Sequence, residues 1–482
     1  MNLISNYIYH HSIARPTKMK WNETDQKGVF SRLIGENETF IKLVGDAGLP
    51  LNREHWAINS VATVVPTGSF ISTDLATHFR RAWAHLRFRH PSLAAEVSPD
   101  NASLLYTVPA DGTALDAWVS RTFSVATDAK SSADVIPTFQ PTPYAKLVYI
   151  PQSGELLGHT AHWRTDGIGV LLLLDTLLAL ACKPSPLPDP ASLAWGAEVE
   201  CLAPAIEDAA GIPEESAPAL KERGAALVVT FSHAVGAIGI PYLGDAATLP
   251  AGTLSAALTF NVETTEKIVT ACKARGVSVT AAVHASVAGA NYALADTVAA
   301  RDKHYTSTVR FALRPYLPEP YSTPAFAAGL YTTGWMKRVE ARASWAERLQ
   351  AYQDEYRKGI TRHFLDSHRE YAAQLGELIR NPPQAGGDQT SPPSDVDISS
   401  IGVAEKLIRR SYGTPDAGFE VKAVSVGVEI LSRQAVTFVW TFRDQLNLSV
   451  VYNESFHSAD QMGQFVSTVK TQLLEELGVH DF

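Results

Sequence analysis

The chain has 482 residues, more than one ordinary core accommodates, so two large halves or two to three domains are expected. With 45% hydrophobic and 19% charged residues it reads as globular, and its net charge of -9 without a dense Lys/Arg cluster argues against nucleic acid or an anionic membrane as partner. Cysteines 182, 201 and 272 form no CxxC pair, which argues against a disulfide framework and a zinc site.

Met1 to Lys20 lacks the long apolar core of a secretory signal, and residues to about Arg53 carry no clear period. Trp56 to Pro66 is β-branched and reads as a strand. Cap residues at Ser69 to Asp74 precede Leu75, Phe79, Ala82, Trp83 and Leu86 at helical spacing, with Arg80, Arg81 and Arg87 off that face. Ser92 to Val97 reads as a further strand. Tyr144 to Ile150 alternates as a strand, Pro151 to Glu155 turns, and a second arm runs to Asp166. A helix from Ile168 to about Leu180 follows; it is too short to span a membrane and contains Asp175, so a soluble, cytoplasmic protein is expected.

Lys183 to Pro190 is a Pro-rich loop, and an irregular crossover covers about Ala203 to Leu220. The second half opens with a strand from Gly252 to Phe260. A helix from Thr264 to Arg275 closes on Gly276, and an Ala-rich helix spans Ser278 to Ala295. Thr306 to Leu313 is a strand running into Arg314-Pro315, and Trp345 to Leu378 is helical in two pieces. Asn381 to Asp395 is a loop rich in Pro, Gly and Ser. Val436 to Phe442 and Leu446 to Tyr452 form a hairpin, and a last helix runs from Ser458 to Gly478. Strands and helices mix throughout, giving an α/β or α+β class.

One corner carries chemistry. His162, three residues, then Asp166-Gly167 lie where a strand ends and an apolar helix begins. A histidine so placed is the usual proton-transfer group at neutral pH. The same residues also fit a plain hydrogen-bonded histidine beside a helix that Asp166 caps. There is no Gly-x-Ser-x-Gly elbow and no P-loop, and Leu172 stands where a dinucleotide fingerprint beginning at Gly167-Ile168-Gly169 needs glycine. His159 and His162 point to opposite faces of a strand, so no metal site is expected.

Residues 156–170 resemble the active-site motif of the CoA-dependent acyltransferase superfamily, which includes chloramphenicol acetyltransferase, plant BAHD enzymes and peptide-synthetase condensation domains. Further stretches agree in order: Leu86 to Leu93, Gly276 to Ala282, Arg314 to Pro318, and Ser399-Ser400-Ile401-Gly402. Within the superfamily the chain is most similar to fungal O-acetyltransferases of the trichothecene 15-O-acetyltransferase type. It departs from condensation domains, which carry two adjacent histidines, by having Ala161 before His162, and from BAHD enzymes by lacking Asp-Phe-Gly-Trp-Gly.

The resemblance implies two chloramphenicol-acetyltransferase-like subdomains, residues 1–205 and 251–482, joined by a crossover at 206–250, with the active-site tunnel between them. It implies direct acyl transfer from acetyl-CoA to the hydroxyl of a small-molecule alcohol, such as a terpenoid or polyketide, by a monomer without a metal. His162 would be the general base. Asp166 would support the corner by pairing with Arg314, with Arg164 the nearby competitor. Gly167 would leave room for the acyl group. Ser399 or Ser400, near Gly402, would donate to the oxyanion, and Trp163 and Trp440 would line the acceptor pocket. The rivals are an amine acceptor or a carrier-protein-bound donor, as in condensation domains, and a catalytically silent binding homologue.

Overall fold

The structure is a computed structural model that describes residues 20–182, 187–382 and 392–480. All but the last residue of the leader reading, Met1 to Lys20, and parts of the loops Lys183 to Pro190 and Asn381 to Asp395, fall outside the described residues.

Strand Ile58–Gly68 is buried on both faces over its first half, as its Val- and Ala-rich sequence requires. It lies inside a six-stranded sheet with the order 411–414, 417–428, 58–68, 155–160, 146–150, 123–125. Ile58 pairs with Thr160 and with Val428, so the strand that leads to His162 is held two strands away from Ala417–Val428. Helices Leu75–Arg89 and Gly167–Ala181 share one apolar cluster with this sheet. Arg87, expected off the buried face, is itself buried, its guanidinium 4.8 Å from the Trp118 ring centroid. The stretch Ser92 to Val97 forms a 3-10 turn, Pro91–Ala94, before a two-residue strand, because Pro91 sets a turn rather than a ladder.

A four-stranded sheet holds Val396–Val403, Ala435–Phe442, Gln445–Asn453 and Thr253–Thr259 in that order. Helices Val279–Leu294 and Ala459–Leu477 pack with it in a second cluster. Alanines 281, 282, 285, 288 and 290 are fully buried, which lets neighbouring elements approach the first helix closely. Val396–Val403 runs parallel to Ala435–Phe442 with a register shift between Ser400 and Gly402. A two-stranded ribbon, Tyr305–Ala312 with Thr332–Val339, carries Arg310 and leads to Arg314. Helices Trp345–Lys358 and Arg362–Arg380 lie against it, separated by Gly359 at φ +60°.

Sheet order and chain order therefore differ. Residues 411–428 follow Val396–Val403 in sequence, yet they complete the sheet that positions His162. Phe419, 1% exposed, packs its ring 5.0 Å from Phe70 and 5.2 Å from Phe79. Phe419→Ala is expected to cost about 3–5 kcal/mol in denaturant unfolding. It should also lower hydrogen-exchange protection in Ile58–Gly68, more than 350 residues away in sequence.

Candidate active site

Strand Glu155–Thr160 stops at Ala161, and a single 3-10 turn, His162–Arg164, follows. Thr165 and Asp166 are extended, and Asp166 caps helix Gly167–Ala181. Asp166 Oδ1 accepts from the Ile168 and Gly169 amides at 3.1 and 2.8 Å. Its Oδ2 accepts from the Tyr331 amide at 2.9 Å and lies 3.3 Å from Arg314 Nη2. Arg314 Nη2 also donates to the Ala327 and Gly329 carbonyls at 3.0 and 2.9 Å. Thr165 Oγ1 donates to the same Ala327 carbonyl at 2.7 Å. Gly169 sits inside this knot: a Cβ there would lie 2.1 Å from Thr165 Oγ1 and 2.3 Å from the Ala327 oxygen.

With its oxygens committed, Asp166 is not the hydrogen-bond partner of His162. The imidazole instead points Nδ1 at the Thr165 carbonyl, 3.1 Å away. A carbonyl only accepts, so Nδ1 carries the proton and Nε2 keeps its lone pair. Burial lowers the His162 pKa from its ordinary 6.5, a shift that backbone contacts and the Asp166 charge partly oppose. The ring is therefore neutral at pH 7 and its Nε2 is a competent base.

His162 lines a cavity of about 230 Å³. Residues from both parts of the chain form its wall, among them Trp56, Gly167, Arg310, Ser399 and Phe438. Trp56 stands at φ +64°, and its ring centroid is 6.4 Å from that of His162. Ser399 and Ser400 both line the cavity. The Ser400 hydroxyl pairs with Thr280 Oγ1 at 2.9 Å, whereas that of Ser399 has no protein partner among the described residues. Among those residues, no group of three or more His, Cys, Asp or Glu could hold a metal ion, and no helix is long and apolar enough to cross a membrane.

No family model matches the chain. It is 42% identical over 465 residues to acetyltransferase pigO of Monascus ruber, covering 96% of this chain and 99% of the relative. It is 31% identical over 470 residues to O-acetyltransferase pigM of the same organism, covering 96% and 88%. Its fold matches trichothecene 15-O-acetyltransferase of Fusarium sporotrichioides with a TM-score of 0.79 at 18% identity, over 94% of this chain and 96% of that one. The first condensation domain of the calcium-dependent antibiotic synthetase matches with a TM-score of 0.62 at 13% identity, over 93% and 96%. The chain belongs to the CoA-dependent acyltransferase superfamily. It is an acyltransferase with the mixed α/β fold of that group.

In this acyltransferase the expected aromatic walls are elsewhere. Trp163 and Trp440, read as pocket residues, do not line the cavity. Trp163 packs with Ile41, Leu104, Ala161 and Leu330, and Trp440, on strand Ala435–Phe442 of the four-stranded sheet, is buried in the apolar cluster shared with the six-stranded sheet. Large aromatic surface is buried more favourably there than against a wet tunnel. Gly402, at φ +78°, stands beyond the cavity wall at the register shift. Arg164 turns away from Asp166. Its guanidinium donates to the carbonyls of Ser92, Ala95 and Pro143, each at 2.7 Å, and so props up the turn that carries His162. Trp56, Gly169, Tyr331 and Arg310 were not singled out as site residues from the sequence, because the groups that give Gly169, Tyr331 and Arg310 their places lie far along the chain.

Removing one partner of a buried ion pair costs roughly 3–5 kcal/mol. Asp166→Ala strands Arg314 and uncaps the helix, so it is expected to lose about that much stability in denaturant titration. Arg314→Met should lose less, since Asp166 keeps its three backbone donors.

Proposed function

We propose that the protein is an O-acetyltransferase that moves the acetyl group of acetyl-CoA onto a hydroxyl of a secondary metabolite, with His162 as general base. The observation that carries the reading is a neutral histidine on a cavity wall whose Nε2 has no protein partner among the described residues, in a chain 42% identical to a named acetyltransferase. A relative 28% identical over 438 residues, named azaphilone biosynthesis cluster protein M, of Aspergillus terreus, supports an acceptor from secondary metabolism.

The acceptor hydroxyl gives its proton to His162 Nε2 as its oxygen attacks the thioester carbonyl. The carbonyl oxygen takes the negative charge, and Ser399 Oγ, the unpartnered hydroxyl on the wall, donates to it. Collapse of the tetrahedral intermediate breaks the carbon–sulfur bond. The thiolate recovers the proton from His162, so base and product balance without a covalent enzyme intermediate. Gly167, on the cavity wall, leaves room for the acyl group; a side chain there would also crowd Ile401, whose Cδ1 would lie 3.0 Å from its Cβ. Asp166 and Arg314 hold the corner and take no proton. Ala161 in place of a second histidine, together with the pigM relative, favours an alcohol over the amine acceptor of a condensation domain.

Thiol release from acetyl-CoA, followed with a panel of hydroxylated polyketides and terpenoids, tests the reading. A general base contributes typically about 10²–10⁴-fold. His162→Ala is expected to lose that much acceptor-dependent turnover while unfolding at the same denaturant concentration. Unchanged turnover contradicts the mechanism.

A further inference from the structure

The proposed reaction uses His162 and Ser399 and leaves a charged pair on the cavity wall without a task. Arg310, on strand Tyr305–Ala312, and Asp397, on strand Val396–Val403, both line the cavity that His162 lines. Arg310 Nη2 donates to Asp397 Oδ2 at 2.8 Å, and Nη1 donates to the Ile398 carbonyl. A guanidinium has five N–H donors, and the others here have no protein partner among the described residues. The Arg310 side chain keeps 26% of its surface open, against 10% for Asp397.

The guanidinium is also fixed. Asp397 Oδ1 accepts from the Thr308 and Ile398 amides at 3.1 and 2.7 Å, so the carboxylate that orients Arg310 is itself held by backbone. A planar fork clamped on one edge presents its free donors in a set direction.

Its charge is already answered. Asp397 neutralises Arg310, and buried Asp395, bonded to Gln434 Nε2 at 3.0 Å, stands next in sequence but one. Burial and the Asp397 charge push Asp395 up to about 7. A phosphate or carboxylate would bind beside two carboxyl groups with no net positive charge to compensate. A neutral oxygen asks only for N–H donors, which the pair supplies. Apolar neighbours on the wall, Ile58, Phe311, Val426 and Phe438, cover the rest of a ligand without giving it direction.

We infer that Arg310 is a positioning residue for the acceptor, its free N–H donors holding a neutral carbonyl oxygen, of a ketone or lactone, while His162 takes the proton from the hydroxyl. This rests on the transferase reading above and names its acceptor class: hydroxy-carbonyl compounds in preference to simple alcohols.

The test uses matched acceptors, polycyclic hydroxy-ketones and the same alcohols with a methylene in place of the ketone. Thiol release from acetyl-CoA is measured with the wild type and with Arg310→Met/Asp397→Asn, which removes both charges together. A hydrogen bond to a charged group sets the scale at about 10- to 100-fold. The wild type should prefer the ketone by that factor in kcat/KM, carried in the acceptor KM, and the double variant should bring the ratio to about one. As a check independent of turnover, calorimetry in a His162→Ala background should show the hydroxy-ketone binding about 10- to 100-fold more weakly once the pair is replaced. Equal use of both acceptors by the wild type overturns the inference and leaves the transferase standing. So does a double variant that loses both acceptors equally, or one that keeps the wild-type ratio. Absence of thiol release with every acceptor overturns the transferase reading and this inference with it.

Discussion

One carboxylate joins the parts of this molecule that make the site. Asp166 serves two amides of its own helix through Oδ1, and the Tyr331 amide and Arg314 through Oδ2. A buried carboxylate is tolerated only when its charge is answered and its lone pairs are used. Here the answering groups come from distant parts of the chain, the amides of residues 168 and 169 and the 314–331 segment. The helix start, the turn after strand Glu155–Thr160 and the segment following Arg314 are thereby fixed relative to one another.

The chemistry of His162 follows from that constraint. Because Asp166 is fully engaged, the ring finds its partner in the Thr165 carbonyl, which sets the tautomer and leaves Nε2 to the cavity. A carbonyl holds the ring without adding a negative charge beside it, so burial dominates and the imidazole stays neutral. Arg164, bonded to three carbonyls of the 92–143 region, stiffens the same turn from behind. The imidazole and the groups that hold its corner are thus separate: Asp166 and Arg314 bond to the helix start and the 327–331 segment, and not to the ring.

Much of this was legible in local sequence pattern. The apolar helix after Asp166, the Gly276 cap and the hairpin around Arg443 and Asp444 all carry strong local signals, and the structure has them as helix Gly167–Ala181, Gly276 at φ +66° and two left-handed residues between paired strands. Strand Ala417–Val428 was missed because its glycines and charges hide its alternation, and its partner is strand Ile58–Gly68 at the other end of the chain. Gly169 read as a broken dinucleotide fingerprint; its cause is three-dimensional, the crowding of Thr165, Ala327 and Arg314. Arg310 read as an ordinary strand residue, since Asp397, which gives it meaning, is 87 positions away. Trp163 and Trp440 erred the other way. Type and location suggested a pocket wall, while packing placed both in core.

The central claim, a neutral His162 acting without a carboxylate partner, is tested most directly by the pH dependence of kcat/KM for acceptor-dependent thiol release. The base must be unprotonated in the free enzyme, so the rate falls as pH drops through its pKa. Burial places that pKa below the ordinary 6.5, and the acid limb is predicted there, with a plateau through pH 7. An acid limb centred at about pH 7.5 or above would mean an imidazolium stabilised by a carboxylate, and would contradict the account.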